Sequence, residues 1–223
     1  MPDDLFTSYP LGTRVGGKLN MNQSNSSVRR MAALALLIAI IVVMSYTPLG
    51  YLQIGPIQMS LLTIPVAIGA VVMGPTDGAI LGGVFGLTSL FSAISGRSAM
   101  GTMMFSINPF ACFVVCFVAR VLMGWCTGLI FKALQKAMPK KEKLSCALGG
   151  LLAAVLNTVF FMGSLVLFFY QTEYIQNLVS ALHVSNPFAF VVVVVGLQGV
   201  LEAILCCVVT CAVSVPLRKI WNK

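Results

Sequence analysis

The chain has 223 residues, of which 58% are hydrophobic and only 9% are charged. A soluble domain usually carries roughly 25% charged residues, so this composition excludes a water-soluble globule. A bilayer core about 30 Å thick needs roughly 20 residues for each helical crossing, and the length therefore allows six crossings with short loops. The net charge of +8 would suit a nucleic-acid partner, but the basic residues form short clusters between apolar runs and indicate membrane topology instead.

The amino-terminal part of the chain changes character at residue 29. Residues 1–28 are polar and rich in Gly, Ser and Asn, which predicts a disordered cytoplasmic tail. Residues 29–223 carry the long apolar runs and are predicted to form one membrane domain. The first run, Met31–Tyr46, ends without a small-x-small cleavage site, so we expect a retained helix rather than a signal peptide.

Five further apolar runs follow, and they make the expected fold an all-α integral membrane bundle of six transmembrane helices. Segment 47–58 holds two prolines and two glycines, which break helices and favour an extended, hairpin-like loop. The run after it is short for a crossing, so we expect the loop to complete its span where protein covers the backbone. The five predicted helices are Met59–Met73, Gly78–Ser95, Pro109–Phe131, Cys146–Tyr170 and Phe188–Leu217.

The distribution of basic residues predicts the orientation of this bundle. Twelve of the 14 Lys and Arg residues fall on one side, in the amino-terminal tail, in 132–143 and at the carboxyl terminus. Basic residues are enriched on the cytoplasmic side of membrane proteins, so both termini are expected to be cytoplasmic. Loops 47–58, 96–108 and 171–187 would then face outward.

Two predicted helices carry small residues at four-residue spacing. In lipid, helices associate through close packing, and small residues let their backbones approach. Gly78, Gly82 and Gly86 form a stripe on the third helix, which we expect to pack inside the bundle. Ala35 and Ala39 form a pair on the first helix, and from spacing alone internal packing is the simpler interpretation of this pair.

Two charges lie within predicted helices, where they are costly unless paired or hydrated. Arg120 and Glu202 fall at similar depth on helices that both descend from the outer side. They form either an ion pair that fixes helix order or a pair of groups beside a substrate. The ion pair is slightly favoured, because the depths match.

Uncharged polar side chains complete the candidate binding site. Asn157 and Gln198 lie within predicted helices, where their amides need partners in protein, water or ligand. Gln58, Arg97 and Asn108 lie near the outward face. These five residues are the predicted lining of a cavity in the outer half of the bundle, covered by the three outward loops.

The sequence lacks the motifs of an enzyme or of an ATPase. It contains no H-E-x-x-H, no G-x-S-x-G and no phosphate-binding loop, so no catalytic residue is proposed and this chain is not expected to hydrolyse ATP itself. The seven cysteines show no C-x-x-C spacing and are interpreted as small core residues. We therefore expect no metal and no bound cofactor, and any energy for transport must come from an ion gradient or a partner protein.

One block of the chain resembles the S components of energy-coupling factor (ECF) transporters. Residues 52–93, LQIGPIQMSLLTIPVAIGAVVMGPTDGAILGGVFGLTSLFSA, are similar to a family pattern in which a loop with Gln-x-Ser/Thr-Leu-Leu precedes I-P-V-x-x-G, a G-P turn and a Gly-rich helix. RVLMG (120–124), LNTVFFMGSL (156–165) and GVLEAIL (199–205) extend the likeness. The resemblance covers about 190 residues, from Arg30 to Leu217.

The resemblance implies the function and the partners of the chain. S components capture a vitamin or vitamin precursor from outside and dock onto a module of one T component and two ATPase subunits, which use ATP for uptake. The family's A-x-x-x-A motif contacts the T component. The resemblance therefore favours a coupling interface over internal packing as the role of Ala35 and Ala39. The chain would then be a multi-pass protein of the cell membrane whose partners are a vitamin, lipid and the ECF module.

The identity of the vitamin is left open between branches of the family. The sequence is most like the pantothenate branch, whereas the riboflavin, pyridoxine-type and queuosine-precursor branches share much of the pattern. Thr63 stands where many relatives carry His, which weakens the pantothenate assignment. Pantothenate is a carboxylate, so a cationic site is expected, with Arg97 or Arg120 as its source. A rival from another class is a proton-coupled secondary transporter that uses Arg120 and Glu202 without an ATPase.

Overall fold

The computed structural model describes residues 16–47, 50–54, 57–181 and 186–221. The elements, in chain order, are α1 (Gly16–Tyr46), β1 (Tyr51–Ile54), β2 (Ile57–Ser60), α2 (Thr63–Val72), α3 (Pro75–Ile94), α4 (Ala99–Ile107), α5 (Pro109–Phe113), a π-helical turn (Val114–Val118), α6 (Ala119–Ala137), α7 (Glu142–Phe169), α8 (Glu173–Ala181) and α9 (Pro187–Trp221). The described chain is thus helical apart from one hairpin.

The chain divides into two units, Met1–Ala33 and Leu34–Lys223, and the candidate site belongs entirely to the second. In the first unit, α1 begins at Gly16, so that residues 16–28 of the predicted tail are helical. A helix extends at little cost from an apolar segment that is already helical, and no proline interrupts this stretch. Residues 1–15 of the predicted tail lie outside the described residues.

Five described helices are long and apolar enough to cross a membrane, which confirms a multi-pass helical protein. They are Ser27–Tyr46, Pro75–Ile94, Pro109–Ala137, Glu142–Phe169 and Gly199–Trp221. The remaining predicted helix, Met59–Met73, corresponds to α2, which has only 10 residues. At about 1.5 Å per residue it reaches about half of a bilayer core. Eight of its residues are buried, so protein surrounds this short helix.

The segment before α2 forms the predicted hairpin. β1 and β2 pair antiparallel, with Tyr51 opposite Ser60 and Gln53 opposite Gln58. The Leu61 amide donates to the Gly50 carbonyl at 3.1 Å and extends the pairing by one step. The prediction of an extended hairpin is confirmed. The second helix begins at Thr63 rather than at the predicted Met59.

Two of the predicted outward loops contain short helices. α4 lies within 96–108 and is capped by Ser98, whose hydroxyl accepts a hydrogen bond from the Gly101 amide at 3.2 Å. α8 lies within 171–187. The predicted sixth helix also differs, because the backbone of α9 is non-helical at Gly196, where glycine lacks the side chain that would restrict it.

The predicted glycine stripe packs α3 directly against α6 and the π-helical turn that precedes it. A Cβ atom on Gly78 would lie 2.5 Å from the Gly124 carbonyl oxygen, and one on Gly86 would lie 2.8 Å from Cα of Phe117. A Cβ on Gly82 would strike the carbonyl group of Arg120. The prediction of tight internal packing is confirmed, and this contact fixes the backbone that carries Arg120.

α7 and α9 form a second close antiparallel pair. A Cβ on Gly150 of α7 would lie 2.5 Å from the Cys206 carbonyl oxygen of α9. Nearer the carboxyl terminus, Nε of Arg218 lies 3.6 Å from Oε1 of Glu142. This alignment places Glu202, four residues before Cys206, beside Asn157.

Candidate functional site

Glu202 is a buried carboxylate that hydrogen-bonds to two other elements. It is 8% exposed, and its Oε1 accepts from the Thr63 hydroxyl at 2.9 Å and from Nδ2 of Asn157 at 3.3 Å. These bonds join the start of α2 to the middle of α7 and α9. Buried carboxylates require such donors, so the three residues form one polar cluster within the helix bundle.

Ser60 adds an unsatisfied group to this cluster. Its carbonyl oxygen lies 3.3 Å from the Thr63 hydroxyl, which places the end of β2 against the cluster. The Ser60 hydroxyl is buried and has no hydrogen-bond partner among the described residues. Buried side-chain hydroxyls are nearly always hydrogen-bonded, so Ser60 is suited to bind a ligand or a water molecule here. We call Ser60, Thr63, Asn157 and Glu202 the carboxylate cluster.

Arg120 forms a second buried group, enclosed by aromatic rings. It is 6% exposed, and its guanidinium carbon lies 4.9 Å from the ring centre of Phe85 on α3 and 4.6 Å from that of Phe161 on α7. Nη1 donates to the Val115 carbonyl at 2.7 Å, and Nε has no partner among the described residues. We call Arg120, Phe85 and Phe161 the arginine cluster.

The backbone around residue 115 accounts for the position of the Arg120 side chain. Residues 114–118 form a π-helical turn, in which the Ala119 amide reaches back five residues to the Val114 carbonyl. Such wide turns are rare, and they occur frequently at functional sites. The turn puts the Val115 carbonyl within reach of the guanidinium five residues later.

The structure corrects the interpretation of Arg120 and Glu202 as an ion pair. No contact within 4.0 Å joins their charged atoms, although both side chains are described. The guanidinium is held by the Val115 carbonyl and two rings, and the carboxylate is held by Thr63 and Asn157. Their similar depth in sequence therefore did not produce pairing, because each group has other partners.

The two clusters nevertheless adjoin along α7. Asn157 and Phe161 are four residues apart, so they lie on one face of the helix on successive turns. Asn157 contacts Glu202 and Phe161 contacts Arg120. The structure thus brings three of the predicted site residues, Arg120, Asn157 and Glu202, into one region.

Arg97 and Asn108 have other contacts. The exposed Arg97 guanidinium lies 4.8 Å from the ring centre of Tyr46. Asn108 is also exposed, and its Oδ1 accepts from the Ala111 amide at 3.1 Å, which caps the start of α5. Both are near the ends of helices rather than in the buried clusters. The side chains of Gln58 and Gln198 are outside the part of the chain that the structure describes.

An open cavity lies where two of the predicted outward loops meet. Its volume is about 530 Å³, and its lining is formed by Met103, Ile107, Thr172, Glu173 and Asn177. Two of the three segments predicted to cover a binding cavity therefore contribute to it. Within the described residues, no group of three or more His, Cys, Asp or Glu side chains is placed to hold a metal ion.

Ala35 and Ala39 lie on an exposed part of α1. Both side chains are exposed, and so are the neighbouring Leu36 and Ile40. In lipid, such a smooth surface allows the backbone of another helix to approach closely.

Thr63 and Ser60 are the residues of the site that the sequence did not predict as binding residues. Both lie inside the block that carried the family resemblance. A polar residue at the start of a buried apolar helix was the available signal. Its partner, 139 residues later in the chain, was not available from local pattern.

Comparisons with known proteins give one family match and two named relatives. The model of the family "ECF transporter, substrate-specific component" matches residues 29–214. The "Pantothenate transporter PanT" of Leuconostoc mesenteroides is 33% identical over 142 residues, which cover 61% of this chain and 67% of the relative. The "Pantothenic acid transporter PanT" of Lactococcus lactis is 26% identical over 185 residues, which cover 76% of this chain and 90% of the relative.

The family match includes part or all of each of the five candidate membrane helices, and it contains both buried clusters. It also includes the hairpin and α2, the segment on which the resemblance chiefly depends. The chain therefore belongs to the family of substrate-specific components of ECF transporters.

Proposed function

We propose that this chain captures pantothenate on the outer side of the cell membrane for ATP-driven uptake. The observation that carries the proposal is that two relatives of the chain, matched over 61% and 76% of its length, are named pantothenate transporters. The arginine cluster supports it, since pantothenate is a carboxylate and guanidinium groups form strong charge-assisted hydrogen bonds to carboxylates. Nε of Arg120, which has no hydrogen-bond partner in the described part of the chain, is available for such a bond.

Uptake in this proposal depends on partner proteins. The chain docks onto a T component through Ala35 and Ala39, and two ATPase subunits of the same module hydrolyse ATP. The exposure of both alanines on α1 supports docking over internal packing. The chain binds no cofactor of its own in this scheme.

The proposal includes a topology with six crossings and both termini in the cytoplasm. Five helices supply full crossings, and α2 together with the hairpin supplies the sixth. The placement of twelve Lys and Arg residues on one side supports this orientation. The carboxylate and arginine clusters then lie between the outward-facing hairpin and the cytoplasmic helix ends.

The substrate is tested by mass spectrometry of the small molecule released from protein purified without added ligand. We expect pantothenate. Release of riboflavin, a pyridoxine-type compound or a queuosine precursor would reassign the chain to another branch of the family.

The transport mechanism needs a separate test in vesicles. Expressed alone, the chain should bind substrate yet fail to accumulate it, and it should co-purify with a T component and ATPases when these are present. Accumulation driven by a proton gradient in vesicles that contain only this chain would instead establish a secondary transporter.

A further inference from the structure

Each buried cluster contains one polar atom without a hydrogen-bond partner among the described residues. In the arginine cluster this atom is Nε of Arg120, and in the carboxylate cluster it is the hydroxyl oxygen of Ser60. Arg120 is 6% exposed and Ser60 is 9% exposed, so neither group is at the surface of the protein. Leaving such atoms unpaired is costly, and two of them in adjoining clusters point to a ligand that reaches both.

The two clusters have opposite hydrogen-bonding character. A guanidinium group only donates hydrogen bonds and carries a positive charge, so the arginine cluster suits an anionic acceptor. In the carboxylate cluster, Oε1 of Glu202 accepts from Thr63 and Asn157, and the Ser60 hydroxyl is able both to donate and to accept. That cluster suits a ligand hydroxyl, which needs an acceptor and a donor together.

The surroundings of each cluster strengthen this difference. Phe85 and Phe161 flank the guanidinium on two helices, so little water competes with an anion there. A second carboxylate brought to Glu202 would suffer like-charge repulsion in a buried setting, whereas a hydroxyl would not. A ligand that carries an anionic group at one end and a hydroxyl group at the other is therefore favoured in one orientation.

From these observations we infer that the site fixes the direction in which its substrate binds. Arg120 receives the anionic end, and Ser60 together with Glu202 receives a hydroxyl-bearing end. The inference rests on the proposed function for its substrate, because pantothenate carries a carboxylate at one end and two hydroxyl groups at the other. Ser60 and Glu202 then determine specificity for the hydroxylated end.

The test measures binding by calorimetry for three ligands and for variants of the full-length protein in detergent. The ligands are pantothenate, pantothenol, in which a primary alcohol replaces the carboxylate, and 3,3-dimethylbutanoyl-β-alanine, which lacks both hydroxyls. For the unmodified protein, each analogue should bind about 10- to 100-fold more weakly than pantothenate, as expected when a buried polar or charged group loses its partner.

The variants should lose discrimination at one end only. Arg120→Gln should bind pantothenate and pantothenol with affinities within a few-fold of each other, yet still reject the analogue without hydroxyls. Ser60→Ala should bind pantothenate and the analogue without hydroxyls with affinities within a few-fold of each other, yet still reject pantothenol. Arg120→Lys keeps the charge and should retain most of the preference for pantothenate, which separates loss of recognition from loss of folding.

Three outcomes would overturn the inference. If Ser60→Ala loses discrimination against pantothenol while Arg120→Gln loses discrimination against the hydroxyl-free analogue, the substrate binds in the opposite direction. If both variants, and Glu202→Gln, keep the full pattern, the clusters are structural and the ligand binds elsewhere. If the unmodified protein does not bind pantothenate at all, the proposed function fails, and the assignment of ends fails with it.

Discussion

Thr63 connects the hairpin, α2 and α9 through a single hydroxyl group. It is fully buried and donates to Glu202 at 2.9 Å. Replacement by valine keeps the volume but removes this donor, so that of its two bonds to described residues the carboxylate retains the one from Asn157 at 3.3 Å. We expect Thr63→Val to lower the free energy of unfolding by about 1–3 kcal/mol. Denaturant titration of the purified protein measures this loss.

Thr63→Ser is the matched control for this change, because it retains the hydroxyl and removes only a methyl group. It should lie much closer to the unmodified protein than Thr63→Val does. Equal stability of Thr63→Val and the unmodified protein would show that the bond to Glu202 contributes nothing measurable.

The sequence predicted some of these side chains and not their partners. Asn157, Arg120 and Glu202 stood out because polar groups within apolar runs are rare. Their contacts depend on how the helices are rotated against one another, which spacing along one helix does not determine. The pairing of Arg120 with Glu202 failed for this reason: matching depth is necessary for a contact but does not bring two faces together.

At the scale of helices, the α3–α6 contact positions the arginine cluster. Gly82 lies against the carbonyl group of Arg120, and an added Cβ would be 3.0 Å from the carbonyl carbon. Gly82→Ala should therefore push α6 away, lower the free energy of unfolding by about 1–3 kcal/mol and weaken substrate binding. Thermal unfolding and calorimetry of the same sample report both effects.

Gly83 provides a control on the same helix. A Cβ there would meet its nearest neighbour, Cγ2 of Val121, at 3.7 Å, which is ordinary contact. Gly83→Ala should be neutral or stabilising, since alanine is the better helix former. If Gly82→Ala behaves like Gly83→Ala, the two helices have more room than their close approach indicates.

The helices were largely predictable, because apolar runs of about 20 residues have few alternatives in lipid. α2 was the exception in length, since a hairpin occupies residues that its apolar run included. The short helices α4 and α8 were missed because they lie in stretches interrupted by polar residues. The kink at Gly196 leaves no trace in the apolar pattern around it.

At the scale of the whole molecule, the chain is a multi-pass membrane protein and belongs to a family of transporter components rather than enzymes. Its proposed orientation predicts which surfaces meet which compartment. With the natural cysteines replaced, a cysteine at the exposed Ser106 should react with a membrane-impermeant thiol reagent in intact cells. A cysteine at the exposed Lys140 should react only after the cells are opened. The reverse labelling pattern would invert the proposed topology.

Docking to a partner should be separable from substrate binding. Replacing both Ala35 and Ala39 with leucine fills the smooth surface of α1 and should reduce co-purification of the T component, with substrate affinity unchanged within a few-fold. Ala212→Leu places the same substitution at an exposed alanine on α9 and should leave both properties unchanged. If the double substitution abolishes substrate binding while the T component still co-purifies, Ala35 and Ala39 serve internal packing rather than docking.

Because other parts of the protein surround α2, we expect substrate binding at the site to be insensitive to bilayer thickness. Lipids of different acyl-chain length act on the surface that they touch, and α2 with Thr63 is covered by other helices. The apolar half of α1 is exposed along most of its length and must adjust to the lipid. In vesicles of short-chain and long-chain phosphatidylcholine, pantothenate affinity should therefore stay constant while the rate of coupled uptake changes.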